Sequence, residues 1–130
     1  MSLVIDTSVL ISLEKGDKVT ISSMEDLKKM HTSPPCITFI NYFEFLHGIR
    51  ERNPKNKSDA LSFVELFEFL AITKRTAIIL SDLKYKYEKL GVSFSLSDLL
   101  IASQTIENGM MLVTKDKHFQ EIEELKKIIL

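Results

Sequence analysis

Short apolar runs alternate with longer stretches of helical period along the whole chain, and this alternation narrows the possible folds more than any single residue does. Leu3-Val4-Ile5 is apolar throughout and reads as a central strand buried on both faces. Ile37-Thr38-Phe39-Ile40, a stretch near Phe69-Leu70-Ala71-Ile72, and Met111-Leu112-Val113-Thr114 follow as further strands by their β-branched and aromatic content. Ile128-Ile129-Leu130 adds an edge strand. Strands separated by helices place the chain in the α/β class, with a mostly parallel sheet of four to five strands.

The helices between them carry their own signals. Asp6-Thr7-Ser8 leads into Val9, Leu10, Ile11 and Leu13, a short helix that Gly16 stops. Ser23 with Asp26 three residues later predicts a capping box for a helix carrying Met24, Leu27 and Met30, ended by Pro34-Pro35. Asn41 caps an apolar helix from Tyr42 to about Arg50, and Arg50 to Ser58 reads as a polar loop. A helix through Leu61, Val64, Leu66 and Phe67 follows. Thr76 opens a long helix closed by Gly91, Ser97 opens one stopped by Asn108-Gly109, and Asp116 to Leu125 reads as a terminal helix. At 130 residues, 45% hydrophobic and without a linker or repeat, residues 1–130 suit one domain with one core.

Four acids mark the junctions of this pattern: Asp6, Glu44, Asp98 and Asp116 each follow an apolar run and open a helical stretch. In a parallel α/β sheet every strand-to-helix junction lies on one edge, so residues distant in sequence meet there. Each acid has a structural explanation, because helix N-termini favour negative charge and Glu44 stands three residues after Asn41. Capping alone does not require charge, since Ser, Thr or Asn caps as well without mutual repulsion. Converging carboxylates raise one another's pKa unless a cation compensates, and oxygen ligands suit Mg²⁺ or Mn²⁺.

Other chemistries find less support. Cys36 is the only cysteine, which rules out an internal disulfide, and its apolar neighbours mark it as a small core residue. Glu44 and His47 have the E-x-x-H spacing of di-iron bundles, but such a pair occurs once and the strands do not suit a bundle. His118 is expected to face solvent or a helix end. No glycine-rich phosphate cradle is present. The N-terminal apolar stretch is broken by Asp6 and lacks a basic start, and no apolar run approaches the ~20 residues of a membrane span, so the cytoplasm is the expected location and no membrane is an expected partner. With a net charge of -1, an anionic partner has to be held by local cations or a metal.

Four segments taken together resemble the PIN-domain nucleases, and among them the VapC-type toxin ribonucleases of toxin–antitoxin pairs: V-I-D-T-S-V-L-I, N-Y-F-E-F-L-H-G-I, L-S-D-L-L-I-A-S and L-V-T-K-D-K-H-F. The resemblance runs over the whole chain in order. It implies a three-layer α/β fold, a catalytic acidic set at Asp6, Glu44, Asp98 and Asp116, and hydroxyls beside a metal at Ser8 and Thr114. It also implies Mg²⁺ or Mn²⁺ as cofactor, an RNA substrate, an antitoxin protein as partner and a homodimer. On this reading Asp6 and Asp98 ligate directly, Asp116 binds the same ion or a second one, and Glu44 holds a water or serves as general base. Lys15, Arg50, Arg52 and Lys115 are candidate phosphate contacts, which position a strand without reading it. Two other readings stay open: an aspartate-nucleophile phosphatase or phosphotransferase with Asp6 as nucleophile, and a non-catalytic RNA- or protein-binding module whose acids only cap helices.

Overall fold

A computed structural model describes residues 1–130 throughout. Five strands form one sheet: β1 (Leu3–Ile5), β2 (Cys36–Ile37), β3 (Glu68–Phe69), β4 (Met111–Thr114) and β5 (Lys127–Ile129). Their spatial order is β3-β2-β1-β4-β5, and every neighbouring pair is parallel. The helices are α1 (Thr7–Glu14), α2 (Lys18–Met30), α3 (Phe39–Gly48), α4 (Pro54–Val64), α5 (Lys74–Lys89) and α6 (Leu96–Glu107).

Strand alternation sorts the core into two layers. Leu3, Ile5, Ile37 and Val113 face a cluster built with Val9, Leu10, Met24, Phe45 and Val64, from α1 to α4. Val4, Cys36 and Leu112 face the opposite cluster, with Leu83 and Tyr87 of α5 and Leu99 and Ile101 of α6. The result is the expected three-layer arrangement of a parallel sheet covered on both faces. No helix is long and apolar enough to cross a membrane. Chain order reverses at the β1–β4 boundary, and in open α/β sheets the crevice beyond the strand C-termini at such a switch point is where ligands bind.

Several element boundaries differ from expectation, each for a local reason. Strand β2 stops at Ile37 because Thr38 caps α3: its hydroxyl accepts from the Asn41 backbone, while the Asn41 side chain accepts from the Thr38 backbone. Phe39 and Ile40 are therefore helical despite their β propensity, and Asn41 sits in the first turn instead of capping. The cap of α2 is Asp17, with Ser23 inside the helix, so the Ser23–Asp26 pair is no capping box. The Arg50–Ser58 stretch is not all loop, since Asn53 caps α4 and Pro54 occupies its first position. Helices α5 and α6 start one to two residues earlier than expected, capped by Thr73 and Ser95. In place of a terminal α-helix there is a 3₁₀ turn over Lys117–Glu121, and the edge strand is present, shifted by one residue to Lys127–Ile129.

Candidate active site

The side chains at the β1–β4 switch point are held by a hydrogen-bonded array that starts from Asp6. Asp6 follows the last residue of β1 and occupies the N-cap position of α1, yet its carboxylate makes no cap hydrogen bond. It is 6% exposed and turned into the site. Oδ2 accepts the hydroxyls of Thr114 at 2.7 Å and Ser8 at 3.3 Å, while Oδ1 accepts the side-chain amide of Asn41 at 3.2 Å. Burial pushes this carboxyl above the ordinary Asp value and the Glu44 charge adds to the shift, while Thr114, the Thr7 backbone and Ser8 pull against it.

Glu44 lies in the second turn of α3, not in the capping-box place expected for it, because Asn41 fills that place. It is half-buried, and its Oε1 accepts the Thr7 hydroxyl at 2.6 Å. Asp98 stands in the first turn of α6, where its backbone N–H is capped by Ser95. Burial raises its carboxyl above the ordinary value; the Asp116 charge acts in the same direction, and the Ser95 hydroxyl and His118 oppose. Asp116 is exposed and does cap the 3₁₀ turn, accepting from the His118 backbone at 2.9 Å. Capping thus accounts for the position of Asp116, but not for the side chains of Asp6 or Glu44.

The four acids stand as two couples, Asp6 with Glu44 and Asp98 with Asp116, each felt through the charge of one member on the other. No three His, Cys, Asp or Glu side chains come close enough together to hold a metal ion between them. Thr114 links the couples: fully buried at the end of β4, it donates to Asp6 and accepts the Asp116 backbone N–H at 3.0 Å. The donor set is made of carboxylate and hydroxyl oxygens, two of its carboxylates with raised pKa, and such a set fits a hard divalent cation.

The cations fall into two groups. Lys115 donates its backbone N–H to Ser8 and its ammonium to Ser12 at 2.7 Å, with Asp17 3.9 Å away. Arg52 is locked to Glu14 at 2.5 Å and to Asn56 at 3.1 Å. Lys15 and Arg52 line an open polar hollow with Asn53 and Asn56, at the far end of α1 from Asp6, a helix ~12 Å long. Arg50 is exposed nearby. None of the surface hollows is lined by any of the four acids. His118 does more than face solvent: its ring packs on Phe94 with centroids 4.8 Å apart, and its nitrogens lie 4.0 Å from Asp98 and 3.2 Å from Glu121.

Two residues at the centre of the array are absent from the expected site, Thr7 and Asn41. Thr7 lies between Asp6 and Ser8 in the D-T-S segment, and Asn41 opens the N-Y-F-E segment. Their signal in the sequence is proximity to an acid, one place and three places away, which a helix start explains equally well.

Comparison with known proteins agrees with this architecture. The PIN domain family matches residues 3–125. Ribonuclease VapC1 of Rickettsia felis is 33% identical over 136 residues, covering 97% of this chain and 94% of the relative. Ribonuclease VapC of Rickettsia bellii is 29% identical over 132 residues, with the same coverage of both chains. Among solved structures, VapBC2 from Rickettsia felis bound to a promoter DNA fragment superposes with a TM-score of 0.87 at 23% identity, covering 100% of this chain and 99% of that one. DNA-bound VapBC from Salmonella typhimurium gives 0.84 at 20%, covering 99% and 98%. At such identities these structures speak for the fold.

Proposed function

Because the chain belongs to the PIN-domain family, we propose that it is a metal-dependent ribonuclease that hydrolyses RNA phosphodiester bonds and acts as the toxin of a toxin–antitoxin pair. One observation carries the reading: Asp6 occupies a cap position without capping, and its carboxylate is instead buried among three side-chain donors at the sheet's switch point. A carboxylate that only closed a helix end would spend its oxygens on backbone amides. The names of the relatives support the chemistry, since both are ribonucleases of the VapC type.

In this mechanism Asp6, Asp98 and Asp116 would supply carboxylate oxygens to a Mg²⁺ or Mn²⁺ ion, with water completing the coordination because the two couples stand too far apart to enclose it by themselves. When bound, the ion supplies positive charge against the phosphate and the charge that builds on it during cleavage. Thr114 and Ser8 keep the Asp6 carboxylate turned toward the edge. Glu44, whose Oε1 is engaged by Thr7, would take the proton of the attacking water on Oε2 as the new P–O bond forms and the P–O bond to the departing ribose oxygen breaks, that oxygen being protonated by solvent. Lys15, Arg50, Arg52 and Lys115 are the candidate contacts for more distant phosphates.

The antitoxin is the proposed protein partner, and the complexed state of the similar VapBC structures supports it. An apolar hollow of about 330 Å³, lined by Leu13, Ile21, Met24, Phe63, Leu66 and Phe67, could take the apolar face of an amphipathic segment. A homodimer and a cytoplasmic location complete the reading. The test is direct: Asp6→Asn and Asp98→Asn should fold and lose Mg²⁺-dependent cleavage of RNA, and if both cut like the parent the acids are not catalytic.

A further inference from the structure

Asn41 is fully buried, and its side-chain amide is hydrogen-bonded at both its oxygen and its nitrogen. Its Oδ1 accepts the backbone N–H of Thr38 at 3.1 Å and the Thr38 hydroxyl at 2.8 Å. With the oxygen fixed by two donors from the start of α3, the amide has only one workable orientation, and its NH₂ must point the other way. There it donates to Asp6 Oδ1 at 3.2 Å and to Thr7 Oγ1 at 3.1 Å. Thr7, having accepted that hydrogen bond, directs its own hydrogen to Glu44 Oε1 at 2.6 Å. One amide group therefore sets both the Asp6 carboxylate and, through Thr7, the Glu44 carboxylate.

We propose that Asn41 is a positioning residue that fixes the spacing of Asp6 and Glu44, using the α3 cap as its anchor and Thr7 as its link to Glu44. Three features support it. An aspartate at this position would keep the cap but present a third charge to Asp6 and no donor. A serine or threonine would keep the cap but stop short of Asp6. Helix capping alone therefore does not select Asn, since the shorter residues serve a helix start as well. The buried donors also matter energetically, because an amide hydrogen shielded from water must find an acceptor, and here both do.

This inference rests on the proposed nuclease reading, and the experiment separates the two. Asn41→Ser retains a cap acceptor and removes both donated bonds; Thr7→Val leaves the Asn41–Asp6 bond and removes the hydroxyl that both accepts from Asn41 and donates to Glu44. Each variant and the double variant is compared with the parent by circular dichroism, by Mn²⁺ titration calorimetry, and by kcat and KM on RNA. The expected result for Asn41→Ser is a folded protein whose Mn²⁺ dissociation constant rises about tenfold and whose kcat falls about tenfold or more with little change in KM, the usual effect of losing a partner behind a metal ligand. The double variant should fall short of the product of the single effects on kcat, because both act on Glu44 through one link. If Asn41→Ser binds Mn²⁺ and turns over like the parent, or if the two effects multiply, the positioning role is wrong while the nuclease reading stands. If the parent itself neither binds Mn²⁺ nor cuts RNA, both fall together. Should Asn41→Ser not fold, Thr7→Val alone decides: a parental kcat overturns the link, and a lowered kcat with unchanged KM and unchanged Mn²⁺ affinity supports it.

Discussion

Thr114 donates its hydroxyl hydrogen to Asp6 across 2.7 Å, and the two residues are 108 positions apart in the chain. Neither is open to solvent, so no water can replace the bond if it is lost. Thr114→Val keeps shape and burial but removes the donor. We expect it to destabilise the protein by ~1.5–3 kcal/mol in urea unfolding without divalent ions, the range for a bond to a charged group. A variant as stable as the parent would show that Asp6 does not depend on this hydroxyl.

Raised acid pKa values give stability a definite pH slope. Asp6 and Asp98 both titrate above the ordinary Asp value in the folded protein. Between that value and the folded pKa, the native state binds more protons than the unfolded state, so their contribution to stability falls as pH rises through this window. Asp6→Asn removes the buried charge while leaving acceptors and donors that the neighbouring hydroxyls can match. Without divalent ions it should be more stable than the parent at neutral pH, where the buried carboxylate of the parent is charged. The advantage should shrink as the parent is acidified. A parent that gains nothing relative to Asp6→Asn on acidification would contradict the buried-charge account.

A divalent ion should reverse that order. A ligand that binds only the native state raises unfolding free energy by ~2.7 kcal/mol at a hundred times its dissociation constant. Mn²⁺ is expected to raise the parent's Tm and to leave the Asp6→Asn, Asp98→Asn double variant nearly unchanged, read by differential scanning calorimetry. Equal shifts in both proteins would place the ion elsewhere.

The cations should separate by what holds them. Arg52 and Glu14 are mostly shielded and 2.5 Å apart, so Arg52→Ala leaves a partly buried carboxylate without its partner. It should lose stability by ~2–3 kcal/mol, since breaking one side of a shielded pair is far more damaging than losing a surface pair. Arg50→Ala and Lys15→Ala touch exposed side chains and should instead raise KM for RNA with unchanged Tm. Salt titration of cleavage gives the check: if neither variant alters its salt dependence, these residues serve only the surface.

Much of the architecture was legible in the sequence because β1 and β4 are continuous apolar runs that nothing local contests. The errors arose where two local preferences competed. At Thr38-Phe39-Ile40 the β propensity of the side chains lost to a capping box whose two members lie three residues apart. At Pro54 a polar, charged stretch reads as loop, although Asn53 and Pro54 form a standard helix entry. After Asp116 the amphipathic pattern extends over ten residues, but the Asp116 side chain folds onto His118 and the chain turns tightly before reaching β5. The acids were found from their places after strands, which topology turns into a shared edge. Their grouping into couples was not legible, because it depends on Thr7, Asn41 and Thr114, whose hydrogen bonds span 34 to 108 residues.

The sheet ends on one side in β3, a strand of two residues, both exposed and one of them Glu68. Such a stub offers an incoming chain too few free amides to zip onto, and its charge discourages an apolar stranger. Crowding many copies together is therefore not an invitation to fibre growth from that flank.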